Sequence, residues 1–518
     1  MTNTKILWVD DEIDLLKPHV LFLEQKGFTI QTANNGSEAL DLIRQNNFDV
    51  VLLDENMPGI SGIETLTQIN EFKPSLAVVM ITKSEEEKIM NDALGSNIID
   101  YLIKPVNPNQ ILLSLKKIIE NKELKFKKQL QNYQQNFRQL SLQIMDANLI
   151  SDWIDIYKKL TYWDIELEKI NDENIVSILQ DQKHEANLQF SKFYQKNYLN
   201  WLQPENENRP ELSHTLLKNK VFPMLNKEKS TFLIVIDNLR YDQWKVLEPI
   251  IANYFRVEED TMYCSILPTA THYARNALFA GMLPSEIKKK YPQYWTEESS
   301  EENKNQFESE LFSEYLKRYG YHSKYHYAKV LNMDFGKKLV ENTNQYLNNI
   351  VNVVIFNFID MLSHARTDVE IIRELASDEA AYRSITVSWF EHSPLFDLLK
   401  RLAEKNISVV ITADHGSIRV NNPIKIIGDK NTNSNLRYKV GKSLGGYDQK
   451  EVFEITNPTK AYLPSENLST TFVFCRNNDF FAYPNNFNYY ANYFKNTFQH
   501  GGISMEEALV PFVKLIPR

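Results

Sequence analysis

A chain of 518 residues exceeds what one hydrophobic core can organise, so two to four domains are expected. With 43% hydrophobic and 24% charged residues the composition is that of an ordinary soluble protein, and the net charge of −9 argues against a nucleic-acid coat or a membrane-surface protein. Two cysteines, Cys264 and Cys475, exclude a disulfide framework and fit a cytoplasmic location. The opening MTNTKILWVDDE lacks the cationic and apolar regions of a signal peptide. Apolar runs such as LAVVMI and VNVVIF are far shorter than the ~20 residues of a spanning helix, so no membrane insertion is expected.

Four apolar strands open the chain, each with a polar residue at or near its end. They are KILWVDD (5–11), FDVVLLDENMPG (48–59), LAVVMITK (76–83) and DYLIKP (100–105). Amphipathic stretches such as GSEALDLIRQNN and GIETLTQINEF lie between them. That alternation predicts a parallel sheet with crossover helices, which places Asp10, Asp11, Asp54, Thr82 and Lys104 on one rim. Three carboxylates there repel unless a hard cation sits among them, and Mg²⁺ suits oxygen ligands. A metal-neutralised Asp54 can act as a nucleophile toward a phosphoryl group. Lys104 can pair with that group, and Thr82 can hydrogen-bond it once attached.

Acid pair, central Asp, Thr and Lys-Pro, in this order, resemble a two-component receiver domain over residues 1–121. The resemblance implies a flavodoxin-like fold, Asp54 as phosphoacceptor, and a Mg²⁺ site of Asp10, Asp11, Asp54 and the carbonyl of Asn56. It further implies Tyr101 as the aromatic that reorients with Thr82, and phosphorylation by a sensor histidine kinase.

Residues 122–207 are rich in Leu, Ile, Lys, Gln and Glu, with no proline before Pro204. One long helix continuing out of the first domain and two more are expected. Trp153, Ile156, Leu160 and Trp163 recur at helical spacing, as the core of a small antiparallel bundle. The polar QPENENRPE (203–211) ends the segment as a linker.

Beyond it the apolar-strand-then-acid pattern returns three times. STFLIVIDN leads to Asp237, VNVVIFNFIDMLSHA to Asp360 with His364 four residues on, and ISVVITADHG to Asp414 and His415. If the chain turns helical after the second of these strands, Asp360 and His364 share a face. His500 sits in the glycine-flanked FQHGGIS. Three acids and three histidines suffice for two metals with three protein ligands each, leaving open positions for substrate. In SILPTATHYARNALFAG (265–281) a helix is expected to begin at Thr271. A hydroxyl there lies in positive potential, and coordination to Zn²⁺ would activate it as a nucleophile. A plain N-cap threonine is the alternative. Arg275 and Asn276 read either as ligands of a phosphate oxygen or as helix-surface residues, and His322 and His326 as structural.

This set resembles the alkaline phosphatase superfamily, and within it the PglZ-type domain, over residues 208–518. The resemblance implies a large α/β domain holding two Zn²⁺. Asp237, Asp414 and His415 would bind one, with Thr271 on it; Asp360, His364 and His500 would bind the other. The sulfatase branch is disfavoured, because Cys264 is followed by Ser-Ile-Leu-Pro. The segments 286–310 and 420–497 read as polar, aromatic-rich insertions that form a cap or offer faces for base stacking.

The whole arrangement resembles the PorX group of response regulators. That implies control of type IX secretion and gliding, a homodimer on phosphorylation, and a sigma factor or secretion-system protein as partner. The expected activity is a zinc-dependent phosphodiesterase on nucleotide-type phosphodiesters. The rival is a regulator that acts by protein binding through a non-catalytic, metal-dependent module. A DNA-binding transcription factor is disfavoured, since no helix-turn-helix with a basic recognition helix is evident.

Overall fold

The computed structural model describes residues 4–518 except 74–75, 84–97, 169–171, 204–205, 207–208, 227–228, 299, 301–302, 369, 430–431, 466 and 468. The linker expected at 203–211 lies partly outside the described residues. The chain divides into two units, Met1–Asn136 and Phe137–Arg518.

The first unit is a parallel sheet in the order β2-β1-β3-β4-β5, formed by β1 (Lys5–Val9), β2 (Thr29–Ala33), β3 (Val50–Asp54), β4 (Ala77–Thr82) and β5 (Ile98–Ile103). Helices α1 (Lys17–Gln25), α2 (Gly36–Gln45) and α3 (Gly62–Phe72) connect them. The central strands are apolar at successive positions because both faces are covered. Leu7, Val51 and Met80 enter one buried cluster, while Trp8, Leu52 and Val79 enter the other. A reciprocal box between Ser61 and Glu64 starts α3. Strand β2 is absent from the four strands expected from sequence. It is an edge strand, TIQTA, buried only at Ala33, so it carries too few apolar residues to stand out.

Helix α4 (Pro108–Asp146) is a continuous 39-residue helix. Two more follow, α5 (Ile150–Glu168) and α6 (Glu173–Trp201). Trp153, Ile156, Leu160 and Trp163 are all buried, and the Trp153 ring meets Phe190 of α6 edge-on at 5.5 Å. Helix α6 packs against the α/β part of the second unit: the Tyr194 hydroxyl donates to the Ser265 carbonyl at 2.7 Å, and Asn187 Nδ2 to Glu506 Oε2 at 2.9 Å.

The main sheet of the second unit contains β6 (Thr231–Ile236), β7 (Phe255–Cys264), β8 (Tyr325–Val330), β9 (Val351–Phe356) and β10 (Val409–Thr412). Between β10 and the last strand lie β11 (Ile418–Arg419), β12 (Asn422–Lys425), β13 (Tyr438–Gly441), β14 (Val452–Ile455), β15 (Thr471–Cys475), β16 (Asp479–Ala482) and β17 (Phe498–Gln499). The chain closes with β18 (Leu509–Pro517), and the main sheet runs β7-β18-β10-β6-β9-β8. Strands β10, β6, β9 and β8 are parallel, with β18 antiparallel to β10 and β7 antiparallel to β18. The sheet is therefore mixed, whereas the apolar runs point only to its parallel part. The described residues of 420–497, read from sequence as a polar, aromatic-rich insertion, include β12 to β16. These strands have their own apolar cluster, including Ile424, Val452, Val473 and Phe481.

In this order β6 lies between β9 and β10, so the C-terminal ends of all three meet on one rim. Open α/β sheets bind ligands at such a reversal of strand order.

Candidate active site

In the first unit Asp54 ends β3 and Asp10 follows β1, and both are only 1% exposed, whereas Asp11 is exposed. One oxygen from each of Asp10, Asp11 and Asp54 lies within 4.8 Å of the others. Lys104 Nζ reaches Asp54 Oδ2 at 2.8 Å and Asp10 Oδ2 at 3.0 Å. Burial pushes the Asp54 carboxyl above its usual range, Lys104 opposes that, and Asp10 and Asp11 add to it. Thr82 is buried at the end of β4, next to the strand that carries Asp54. Tyr101, half-buried on β5, packs against the cluster that contains Leu53 and Met80. Asn56 is exposed in the loop after β3.

In the second unit Asp237 directly follows β6, and Asp414 and His415 follow β10. Asp360 does not lie on the strand end expected for it. Strand β9 stops at Phe356, and Asp360 occupies the first turn of a helix, Phe358–Asp368, that also carries His364. Helical spacing brings His364 Nε2 to 3.5 Å from Asp360 Oδ2, as the four-residue interval requires. His500 Nε2 lies 3.7 Å from Asp360 Oδ1. Two compact trios result: Asp237, Asp414 and His415, all buried, and Asp360, His364 and His500, whose His364 side chain is 63% exposed. The trios share a wall, for the rings of His415 and His500 stack at 4.2 Å.

The donor set fits cations. Asp237 Oδ1 and Asp414 Oδ2 are buried without a hydrogen-bond partner, with Arg275 Nη1 3.7 Å from Asp414 Oδ2, beyond hydrogen-bond reach. A buried carboxylate oxygen without a hydrogen bond is costly unless a positive charge meets it closely. Burial together with Asp237 raises Asp414 well above the usual carboxylate range and pushes Asp360 up to about 6. His415 Nδ1 bonds the Gly416 carbonyl at 3.1 Å and His500 Nδ1 the Thr269 carbonyl at 3.3 Å. Those bonds assign the proton to Nδ1 and turn the Nε2 lone pair into the site, as ligating imidazoles are held. Burial lowers the pKa of both rings, against Asp237 and Asp360 at His415, which favours the neutral form that can ligate a metal. Gly416 is required beside them, because a Cβ there would stand 2.0 Å from the Glu506 carbonyl oxygen.

Helix α7 (Thr271–Ala280) starts at Thr271, but its N-cap is Ala270, so Thr271 is not a capping residue. Its Oγ1 instead lies 3.0 Å from His415 Nε2. Thr269 Oγ1 is occupied by donating to the Gly502 carbonyl at 2.8 Å and accepting from Gly501 N at 3.1 Å. Arg275 is neither a surface residue nor directed at open space. It is buried, with Nη1 2.5 Å from Asp237 Oδ2 and Nε 2.7 Å from Glu308 Oε1. Asn276 is likewise buried and donates to the Lys304 carbonyl. His326 stacks on Tyr346 at 4.2 Å, as befits a structural residue.

Several residues around the site give no signal in sequence. Glu298 gathers His272 Nδ1 at 3.1 Å and the hydroxyls of Tyr273 and Tyr438 at 3.0 Å each. Burial would raise its carboxyl, but His272 and the other donors hold it down at about 2. A depressed carboxylate contributes stability above its unfolded pKa of ~4.3, and the contribution fades as pH falls through the folded value. The stability gap between wild type and Glu298→Gln is therefore expected to be full at pH 6 and to close between about pH 4.5 and pH 2. Thermal melts across that range measure it; a gap constant with pH would refute the role.

Comparisons with known proteins agree with this layout. Residues 6–116 match the response regulator receiver domain and residues 123–202 the PorX response regulator linker domain. The molecule is a response regulator with an alkaline phosphatase-like effector, an architecture of PorX type. Residues 216–515, more than half of the chain, match the BREX system PglZ alkaline phosphatase-like domain, and the chain belongs to that family. The transcriptional regulatory protein ResD of Bacillus subtilis is 36% identical over 118 residues, 23% of this chain and 48% of that protein. SrrA of Staphylococcus aureus is 33% identical over 117 residues, again 23% and 48%. The chain spans about half the length of the curated relatives it matches. Among solved structures, the response regulator TrrA of Thermotoga maritima in complex with Mg(2+)-BeF is 31% identical and covers 22% of this chain and 98% of its own, with a TM-score of 0.21. A CheY-like receiver domain from Methanospirillum hungatei is 27% identical, covering 24% and 99%, with a TM-score of 0.23. Among the described residues no helix is long and apolar enough to cross a membrane.

Proposed function

We propose that this response regulator is a zinc-dependent phosphodiesterase acting on nucleotide-type phosphodiesters, gated by phosphorylation of Asp54. The observation that carries the reading is the pair of ligand trios on one rim with Thr271 Oγ1 3.0 Å from His415 Nε2. Asp237, Asp414 and His415 would hold one Zn²⁺ with Thr271, and Asp360, His364 and His500 the other. Two such ions would supply Lewis acidity for a displacement at phosphorus. Thr271 Oγ would give up its proton and form the new bond to phosphorus as the P–O bond to the leaving group breaks, and the leaving alkoxide would take up that proton and depart as an alcohol. Water would then attack the threonyl phosphodiester from the opposite side; one of its protons restores the Thr271 hydroxyl and the remaining ester leaves as a phosphomonoester. The first-turn N–H groups of α7 favour the negative charge of a bound phosphoryl group.

In the first unit Asp10, Asp11, Asp54 and the Asn56 carbonyl would hold Mg²⁺ while a sensor histidine kinase phosphorylates Asp54. Thr82 and Tyr101 then respond to the new charge, and Lys104 exchanges its present contact with Asp54 for the phosphoryl oxygens. The receiver would occupy 1–121, the helical connector 122–207 and the phosphatase-like domain 208–518. By the likeness of its architecture to the PorX type, the protein would dimerise on phosphorylation and control type IX secretion.

The wild-type protein is expected to contain about two Zn²⁺ per chain and to hydrolyse bis-p-nitrophenyl phosphate, with chelation abolishing and zinc restoring the activity. A small-molecule phosphodonor should label the wild type and not Asp54→Asn. Two bound zinc ions without hydrolysis would reject the enzyme in favour of a binding module.

A further inference from the structure

Asn238 follows Asp237 at the end of β6 with φ +67°, in the left-handed region that few residues other than glycine and asparagine adopt. It is fully buried. Its backbone N–H donates to Asp414 Oδ1 at 3.3 Å, in the first trio. Its side-chain Nδ2 donates to Asp360 Oδ1 at 3.4 Å, in the second, and to Ser363 Oγ at 3.2 Å. Ser363 Oγ in turn donates to the Asp360 carbonyl at 2.8 Å. One residue thus binds an acid of each trio, the first through its main chain and the second through its amide. A buried, strained backbone at such a junction is retained where the surroundings hold it there.

We infer that Asn238 is a positioning residue that aims Asp360 and fixes it against Asp414, so that its side chain governs the second zinc site and its backbone the first. The inference rests on the two-zinc reading above and adds a residue with no assigned part in it. Donors to a ligating carboxylate orient it and tune its affinity for metal.

Asn238→Gly separates the two roles, since glycine adopts φ +67° without strain and keeps the N–H to Asp414. Stepwise zinc affinities of the full-length protein, measured by competition with a chromophoric chelator, are expected to show an unchanged first site. The second site should weaken about 10- to 100-fold. Assignment of the steps comes from Asp237→Asn, which removes the first, and Asp360→Asn, which removes the second. Asn238→Ala should weaken the second site by the same factor and melt at a lower temperature, because alanine is strained in the left-handed region. A purely structural asparagine would lower the melting temperature and weaken both sites alike, or neither; either result overturns the inference. A wild-type chain that takes up fewer than two zinc ions overturns the two-zinc reading itself, and the inference with it.

Discussion

Thr271→Val is expected to lower kcat for bis-p-nitrophenyl phosphate by on the order of 10³-fold or more, while the zinc content stays at the wild-type level. Valine matches threonine in shape and lacks only the attacking oxygen. The start of α7 survives the change because Ala270, not Thr271, is its N-cap. The change leaves the three acid and imidazole side chains of each trio in place, so zinc binding is expected to survive loss of the hydroxyl. Loss of a covalent nucleophile leaves only the contributions of binding and charge stabilisation. Zinc analysis beside steady-state kinetics decides the matter. Hydrolysis within tenfold of wild type would mean that water, and not Thr271, attacks phosphorus.

Glu507→Gln should destabilise the second unit by about 3–5 kcal/mol, the usual cost of leaving a buried ionic partner uncompensated. Glu507 and Arg437 are both fully buried, with Arg437 Nη2 2.5 Å from Glu507 Oε2 and Nε 3.0 Å from Oε1. Oε1 also accepts from Gly502 N at 2.9 Å, and Oε2 from Ser504 Oγ at 2.7 Å. These bonds anchor the loop that carries His500, so the variant should also bind the second zinc more weakly. Urea unfolding, compared with Arg437→Met and the double variant, separates the terms. The double variant should recover part of the loss, because removing both charges leaves none unpaired. A loss below about 1 kcal/mol in Glu507→Gln would place the pair among interactions of surface strength.

Much of the site is legible in the amino-acid sequence. Asp237 and Asp414 stand out because a strand buried on both faces reads as an uninterrupted apolar run, and a charged residue ending it is conspicuous. The interval between Asp360 and His364 carries its own geometry, since four residues make about one helical turn. The choice of Thr271 over Thr269 rests on less. What separates them is that Thr269 Oγ1 is engaged by Gly501 and Gly502, more than 200 residues further along the chain.

The sequence by itself determined the order of units, the strands that lead to Asp237 and Asp414, and which acids and histidines were candidates for the site. Each of those is written in local periodicity and residue type, while Asp360 turned out to sit on a helix. Only the tertiary structure decided which acid faces which histidine, that β6 lies between β9 and β10, and that Arg275 faces Asp237 and Glu308. The same holds for Asn238, Glu298 and Glu507. Glu507 bonds Gly502 and Ser504 close by, and it is its ion-pair partner Arg437, 70 residues away, that the sequence hides. The partners of Asn238 and Glu298 lie tens to hundreds of residues away, and a buried polar residue with only non-local hydrogen bonds leaves no pattern along the chain.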